Sequence, residues 1–121
     1  NKKIKVEKAM LLNLFSRRDI NQGVEEWKNT EGAVLLDVRT REEYDDYHID
    51  GSVNLPLHEL EMLEKLVADR QTPLFVHCLS GSRSARAAAF LKGKGYSRVY
   101  DIGGLHSYRG ETTSCSTLSH F

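Results

Sequence analysis

The chain lacks most of what a stapled, metallated or strongly charged protein needs. It has two cysteines in 121 residues, Cys78 and Cys115. Thiols so far apart in sequence make no disulfide framework, so a small secreted scaffold is excluded and a reducing, cytoplasmic setting is expected. No Cys/His spacing resembles a zinc site, because His48, His58 and His106 are scattered. Neither charge is in excess: 17 basic residues face 17 acidic ones. That balance argues against bulk electrostatic binding to nucleic acid or acidic membranes. No apolar run approaches the ~18 residues of a transmembrane helix. Met10-Leu11-Leu12-Asn13-Leu14-Phe15 is too short to span and lacks a small-residue cleavage site, so it reads as core packing rather than a signal peptide. No repeat of ~20–50 residues is present.

What is there suits one domain with one modest core, since 40% of the residues are hydrophobic. Apolar runs and helical patterns alternate. Residues 19–29 read as a helix, with Asp19 as its cap, Ile20, Val24 and Trp27 at helical spacing, and Gly23 as a weak point. Residues 33–38 form a continuous apolar run, as a strand buried on both faces would. Thr40 and Glu43 form a capping box for a short helix. Asp50-Gly51 marks a turn, and 52–55 a short strand ended by Pro56. A helix follows over 58–68, with Leu60, Leu63, Leu66 and Val67 on one face. The next strand covers 73–77, and the next helix 82–92, closed by Gly93 or Gly95. The last strand covers 98–102. Gly103-Gly104 reads as a turn, and 105–108 as the start of a final short helix. Such alternation predicts an α/β domain with a parallel sheet covered by helices on both faces. Residues 1–15 are read as an N-terminal extension, 16–110 as the domain and 111–121 as a flexible Ser/Thr-rich tail. The chain does not begin with methionine, so it is processed, excised or carries added residues.

Ligands in such sheets bind beyond the carboxyl ends of the strands. Asp37-Val38-Arg39 and Cys78 both fall there and should share one rim. The run His77-Cys78-Leu79-Ser80-Gly81-Ser82-Arg83-Ser84 places a thiol between a strand and a helix N-terminus. Loop N–H groups there can converge on an anion. A helix N-terminus and a nearby cation both favour the thiolate, the reactive form of cysteine. The bland reading of a free cysteine is a small buried hydrophobe. Three neighbours argue against it. Gly81 permits positive φ or close approach. Ser80, Ser82 and Ser84 keep the loop polar. Arg83 sits in the first helical turn, where the macrodipole disfavours a cation, so it is expected to meet an anion or a buried carboxylate. His77 should point to the opposite face and be structural.

Taken together, Leu35-Leu36-Asp37-Val38-Arg39, Glu42-Glu43-Tyr44, the segment from His48-Ile49-Asp50-Gly51 to Pro56, Val76-His77-Cys78 to Arg83-Ser84, and Val99-Tyr100-Asp101-Ile102-Gly103-Gly104-Leu105 resemble the rhodanese family of single-domain sulfurtransferases. The resemblance covers residues 19–110. It implies a central five-stranded, mostly parallel sheet. It also implies that Cys78 is the sulfur-accepting nucleophile, that the loop N–H groups from Leu79 to Ser84 cradle a persulfide, and that Arg83 holds an anionic donor. Asp37 and Arg39 match residues that buttress the site's rim. The aspartate is expected to accept hydrogen bonds from loops, and the arginine to pair with Glu42 or Glu43. Asp50, Tyr47 and Tyr108 stand where the family commonly has proline, glycine and tryptophan.

The resemblance implies sulfur transfer from thiosulfate or another persulfide donor to a thiol or cyanide, with no cofactor and no metal. A protein sulfur donor or acceptor also fits; a nucleic acid or membrane partner does not. The alternatives are a persulfide carrier without turnover, a regulatory protein-interaction module, or a phosphatase or arsenate reductase on the same fold. Four residues separate Cys78 from Arg83, one fewer than in the related cell-cycle phosphatases, which favours sulfur over phosphate. Cys115 reads as an inert tail thiol, with a resolving thiol as the alternative.

Overall fold

The computed structural model describes residues 19–115. Helix α1, Ile20–Lys28, starts where Asp19 accepts the Gln22 N–H at 2.9 Å and the Gln22 side chain accepts the Asp19 N–H at 3.4 Å. Gly23 does not weaken this helix without return. A Cβ there would sit 2.3 Å from Ile102 Cγ2, so the missing side chain lets α1 settle onto the sheet.

Strands β1 (Val34–Asp37), β2 (Val53–Asn54), β3 (Leu74–Cys78) and β4 (Val99–Gly104) form a parallel sheet in the order β2-β1-β3-β4. The described residues thus give four strands where five were expected. Helix α2, Arg41–Asp46, follows β1 and has the expected capping box of Thr40 and Glu43. Helix α4, Ser82–Gly93, follows β3. Parallel strands joined through helices carry those helices on the faces of the sheet, and strands so covered are mostly apolar. β3 is buried along its whole length, with His77 its one polar member.

Alternation along the strands divides the core in two. Leu36, Val38, Leu74, Val76 and Cys78 face α4 with Ala87, Ala88 and Leu91. Leu35, Phe75 and Ile102 face α1 with Ile20 and Val24.

Two further expectations need correction. The segment expected to be one helix over 58–68 is a 3-10 helix, Leu57–Met62, followed by a single α turn, α3, Leu63–Leu66. Tighter winding breaks the apolar stripe: Leu60 and Leu63 are buried but Leu66 is 62% exposed. Gly103-Gly104 is not a turn. β4 runs through both glycines to pair with His77 and Cys78, and a 3-10 helix, Leu105–Ser107, begins after it. The β3–β4 register also shifts, since Val76 pairs with Asp101 and His77 with Gly103. Ile102 is therefore an extra residue, a bulge beside the strand ends.

The extension over 1–15, the packing of Met10 to Phe15 and residues 116–121 lie outside the described residues. Within the segment read as a tail, Thr113 exchanges both backbone hydrogen bonds with His48 at 2.8 Å, and Ser114 Oγ donates to the Asp45 carbonyl at 3.2 Å. Among the described residues, no helix is long and apolar enough to cross a membrane.

Candidate active site

β3 delivers Cys78 to the carboxyl rim of the sheet, completely buried. The chain then turns back over the sulfur. Gly81, at φ 107°, takes a left-handed conformation open to glycine at no steric cost, and its N–H donates to Cys78 Sγ at 2.9 Å. A backbone donor aimed at a sulfur atom favours negative charge there. Helix α4 begins at the next residue, so its N-terminus faces the same sulfur.

The floor under the loop is Gly104. A Cβ there would lie 2.3 Å from the Leu79 carbonyl oxygen and 2.8 Å from Ser80 Cα. His106 holds the loop from the side. Its backbone N–H reaches the Leu79 carbonyl at 3.1 Å and its ring Nδ1–H the same oxygen at 2.6 Å. Leu79 is half-buried, while Ser80 and Ser82 are exposed at the loop's crest.

Ser84 sits behind the thiol with no exposure. Cys78 Sγ donates to Ser84 Oγ at 3.6 Å, and Ser84 Oγ donates onward to Asp101 Oδ1 at 2.7 Å. The same carboxylate oxygen accepts the Gly103 N–H at 3.0 Å. Ser84 is thus fixed at the back of the sulfur by β4, and the bulge beside Asp101 supplies the local geometry.

Arg83 meets a carboxylate, as its unfavourable place at a helix N-terminus foreshadowed. Its two terminal nitrogens donate to the two Glu43 oxygens at 2.6 and 3.0 Å, a bidentate pair. This hydrogen bonding holds the Glu43 carboxyl down at about 2, against an ordinary 4.5. The same hydrogen bonding to Glu43 raises the Arg83 pKa further, so the guanidinium stays charged.

Asp37 and Arg39 share the rim but serve its other face. Arg39 was expected to pair with Glu42 or Glu43. It turns instead onto Asp37, two residues away, with Nη2 to Oδ2 at 2.8 Å and Nε to Oδ1 at 3.0 Å. Both side chains are sealed, at 1% and 0% exposure. A buried guanidinium needs its charge matched and its donors filled, and Glu43 is already committed elsewhere. Asp37 accepts the Arg39 backbone N–H as well, at 2.9 Å, and Arg39 Nη2 also donates to the Tyr47 carbonyl at 2.7 Å. The Tyr47 ring covers the guanidinium at 5.2 Å, which gives a role to the aromatic residue in a position where glycine was the common choice.

His77 points away from Cys78, as alternation requires, and lies 3.7 Å from Asp37 Oδ2. Burial pushes its pKa down and outweighs the upward pull of the Asp37 carboxylate, so the ring is neutral. Its Nδ1–H donates to the Cys78 carbonyl at 3.2 Å. Cys115 is exposed and both cysteines are free thiols. Among the described residues, no cluster of His, Cys, Asp and Glu could hold a metal ion.

Three contributors were not assigned to the site from the sequence: Asp101, His106 and Glu43. Asp101 had a readable signal, a carboxylate inside an apolar strand, which must find a partner.

A family model described as the rhodanese-like domain matches residues 18–111. Over 81 residues the chain is 43% identical to the thiosulfate sulfurtransferase GlpE of Pseudomonas savastanoi, covering 65% of this chain and 74% of that protein. It is 35% identical over 89 residues to the adenylyltransferase and sulfurtransferase uba4 of Ogataea parapolymorpha, covering 73% of this chain but only 23% of that larger protein. Among solved structures, a rhodanese with anions from E. coli superposes with a TM-score of 0.64 at 31% identity, covering 68% of this chain and 98% of the other.

Proposed function

The chain belongs to the rhodanese-like domain family, and from that premise we propose that it transfers sulfane sulfur through a persulfide on Cys78. The observation that carries this reading is the loop closed on Cys78, with the Gly81 N–H on the sulfur at 2.9 Å and the α4 N-terminus behind it. The name thiosulfate sulfurtransferase borne by the similar GlpE proteins supports the same reaction class.

The chemistry is a two-step displacement. The Cys78 thiolate attacks the outer sulfur of a donor such as thiosulfate. The new S–S bond forms as the old one breaks, and sulfite leaves with the bonding pair. The outer sulfur, now the anionic end of a persulfide, faces the N–H groups from Leu79 to Ser84. An acceptor, a cellular thiol or cyanide in vitro, then takes that sulfur and returns the thiolate. Negative charge moves only from the Cys78 sulfur to the outer sulfur bonded to it, so the dipoles of one loop serve both half-reactions. Ser84 serves as a positioning residue whose hydroxyl, anchored on Asp101, keeps the inner sulfur aimed out of the sheet. Asp37 and Arg39 act only by holding the rim. Cys78 has no exposed surface, and the loop that covers it meets solvent at Ser80 and Ser82.

Replacing Cys78 with serine should abolish sulfur transfer from thiosulfate to cyanide while leaving the fold intact by circular dichroism. Retained turnover in that variant would overturn the scheme. A protein-borne persulfide as donor is a second reading, favoured by the commitment of Arg83 to Glu43. It predicts fast persulfide formation from a persulfidated protein and slow formation from thiosulfate.

A further inference from the structure

The cation in the first turn of α4 already has a carboxylate partner, and that bears on donor choice. Arg83 was read from the sequence as the residue that holds an anionic donor. In the structure one N–H of each terminal nitrogen goes to Glu43, at 2.6 and 3.0 Å, and the guanidinium charge is matched. The pair is only partly covered, with side-chain exposures of 30% and 28%. Arg83 opens the helix that follows the Cys78 loop, so this partly exposed pair marks the mouth of that loop. The other guanidinium at the rim, Arg39, is sealed against Asp37 and faces the opposite side of the sheet.

Glu43 is held in place from two sides. Its Oε1 accepts the Thr40 N–H at 3.0 Å, which closes the N-terminal turn of α2, and the Thr40 hydroxyl accepts the Glu43 N–H at 3.2 Å. The carboxylate is thus preorganised by the capping box before it meets Arg83. A dianionic donor must either compete with it for the guanidinium or approach a cation whose charge is already matched. A donor with a single negative charge loses less by that arrangement.

Building on the sulfur-transfer reading, we propose that Glu43 is a specificity-determining residue that discriminates against doubly charged donors and tunes the mouth for singly charged sulfane-sulfur donors. Thiosulfate carries two negative charges. An aryl thiosulfonate presents the same sulfane sulfur on one.

The test compares persulfide formation on the full chain from thiosulfate and from benzenethiosulfonate, in the native protein, Glu43→Gln and Glu43→Asp. Glutamine preserves the capping box, since its amide oxygen can still accept the Thr40 N–H. The ratio of kcat/KM for thiosulfate to that for the thiosulfonate should rise roughly tenfold in Glu43→Gln, because one unit of donor charge is relieved of one nearby carboxylate. That rise should shrink at high salt. In Glu43→Asp, which keeps the charge, the ratio should stay near the native value. An unchanged ratio in Glu43→Gln, or equal shifts in both variants, would overturn the selectivity claim while native loading of Cys78 left the underlying reading standing. No adduct on native Cys78 from either donor would overturn the sulfur-transfer reading and this claim with it.

Discussion

Two arginine–carboxylate pairs stand at the same rim of the sheet under opposite conditions. Asp37–Arg39 is sealed, with exposures of 1% and 0%, while Glu43–Arg83 keeps nearly a third of each side chain in solvent. The sealed pair is local, its members two residues apart, and Arg39 adds a bond to the Tyr47 carbonyl. It fastens the chain leaving β1 to the start of the next segment. The mouth pair spans the sequence from α2 to the loop around Cys78. Burial decides what each pair can do. Charges removed from water fix structure and punish any mismatch, whereas charges left at a mouth contribute little to stability and much to what a ligand meets.

That contrast can be broken most directly at the sealed pair. Asp37→Ala strands a buried guanidinium and should cost about 3–5 kcal/mol of stability. Urea denaturation measures this, and a loss below about 1 kcal/mol would erase the distinction between the pairs. Next in size is Gly104→Ala. Its new Cβ would meet the Leu79 carbonyl oxygen at 2.3 Å, so the loop must shift. A cost of about 1–3 kcal/mol is expected. Persulfide formation should slow as well, because the Gly81 N–H would move off the sulfur. Ser84→Ala comes third. It leaves the buried end of Asp101 short of a donor and should cost about 1–3 kcal/mol, with slower turnover and an unchanged fold by circular dichroism.

The smallest effect belongs to the mouth. Glu43→Gln should cost no more than about 1 kcal/mol at neutral pH. Its sign with pH is fixed. The folded carboxyl lies at about 2 against an ordinary 4.5, so the pair's stabilisation is complete above about 4.5 and is lost as pH falls toward 2. The difference in stability between native and Glu43→Gln should close over that window. A difference that persisted to pH 2 would mean the pair is not its source.

Much of this was legible in the residues, because the rules that place strands and loops are local. The apolar runs around Leu35 and Phe75, the capping boxes at Asp19 and Thr40, and the strand–loop–helix around Cys78 all announce themselves within a few residues. Partner choice at the rim did not. Arg39 had carboxylates on both sides in sequence, and only burial of the rim and the prior commitment of Glu43 select Asp37. The reach of β4 through Gly103 and Gly104 was hidden for a related reason. Glycine pairs usually mark turns, but here Gly104 serves the close approach of Leu79 and Ser80 from the loop after β3. The winding of 57–62 into a 3-10 helix likewise depends on packing against the face that holds Cys78, which periodicity alone does not register.

The most direct test of the account is intact-protein mass spectrometry after incubation with thiosulfate, comparing the native chain with Cys78→Ser. The account predicts a mass gain of one sulfur atom on the native protein, removed by cyanide and absent from the variant. The same gain in both proteins, or none on a reduced native Cys78 from either thiosulfate or benzenethiosulfonate, would contradict it.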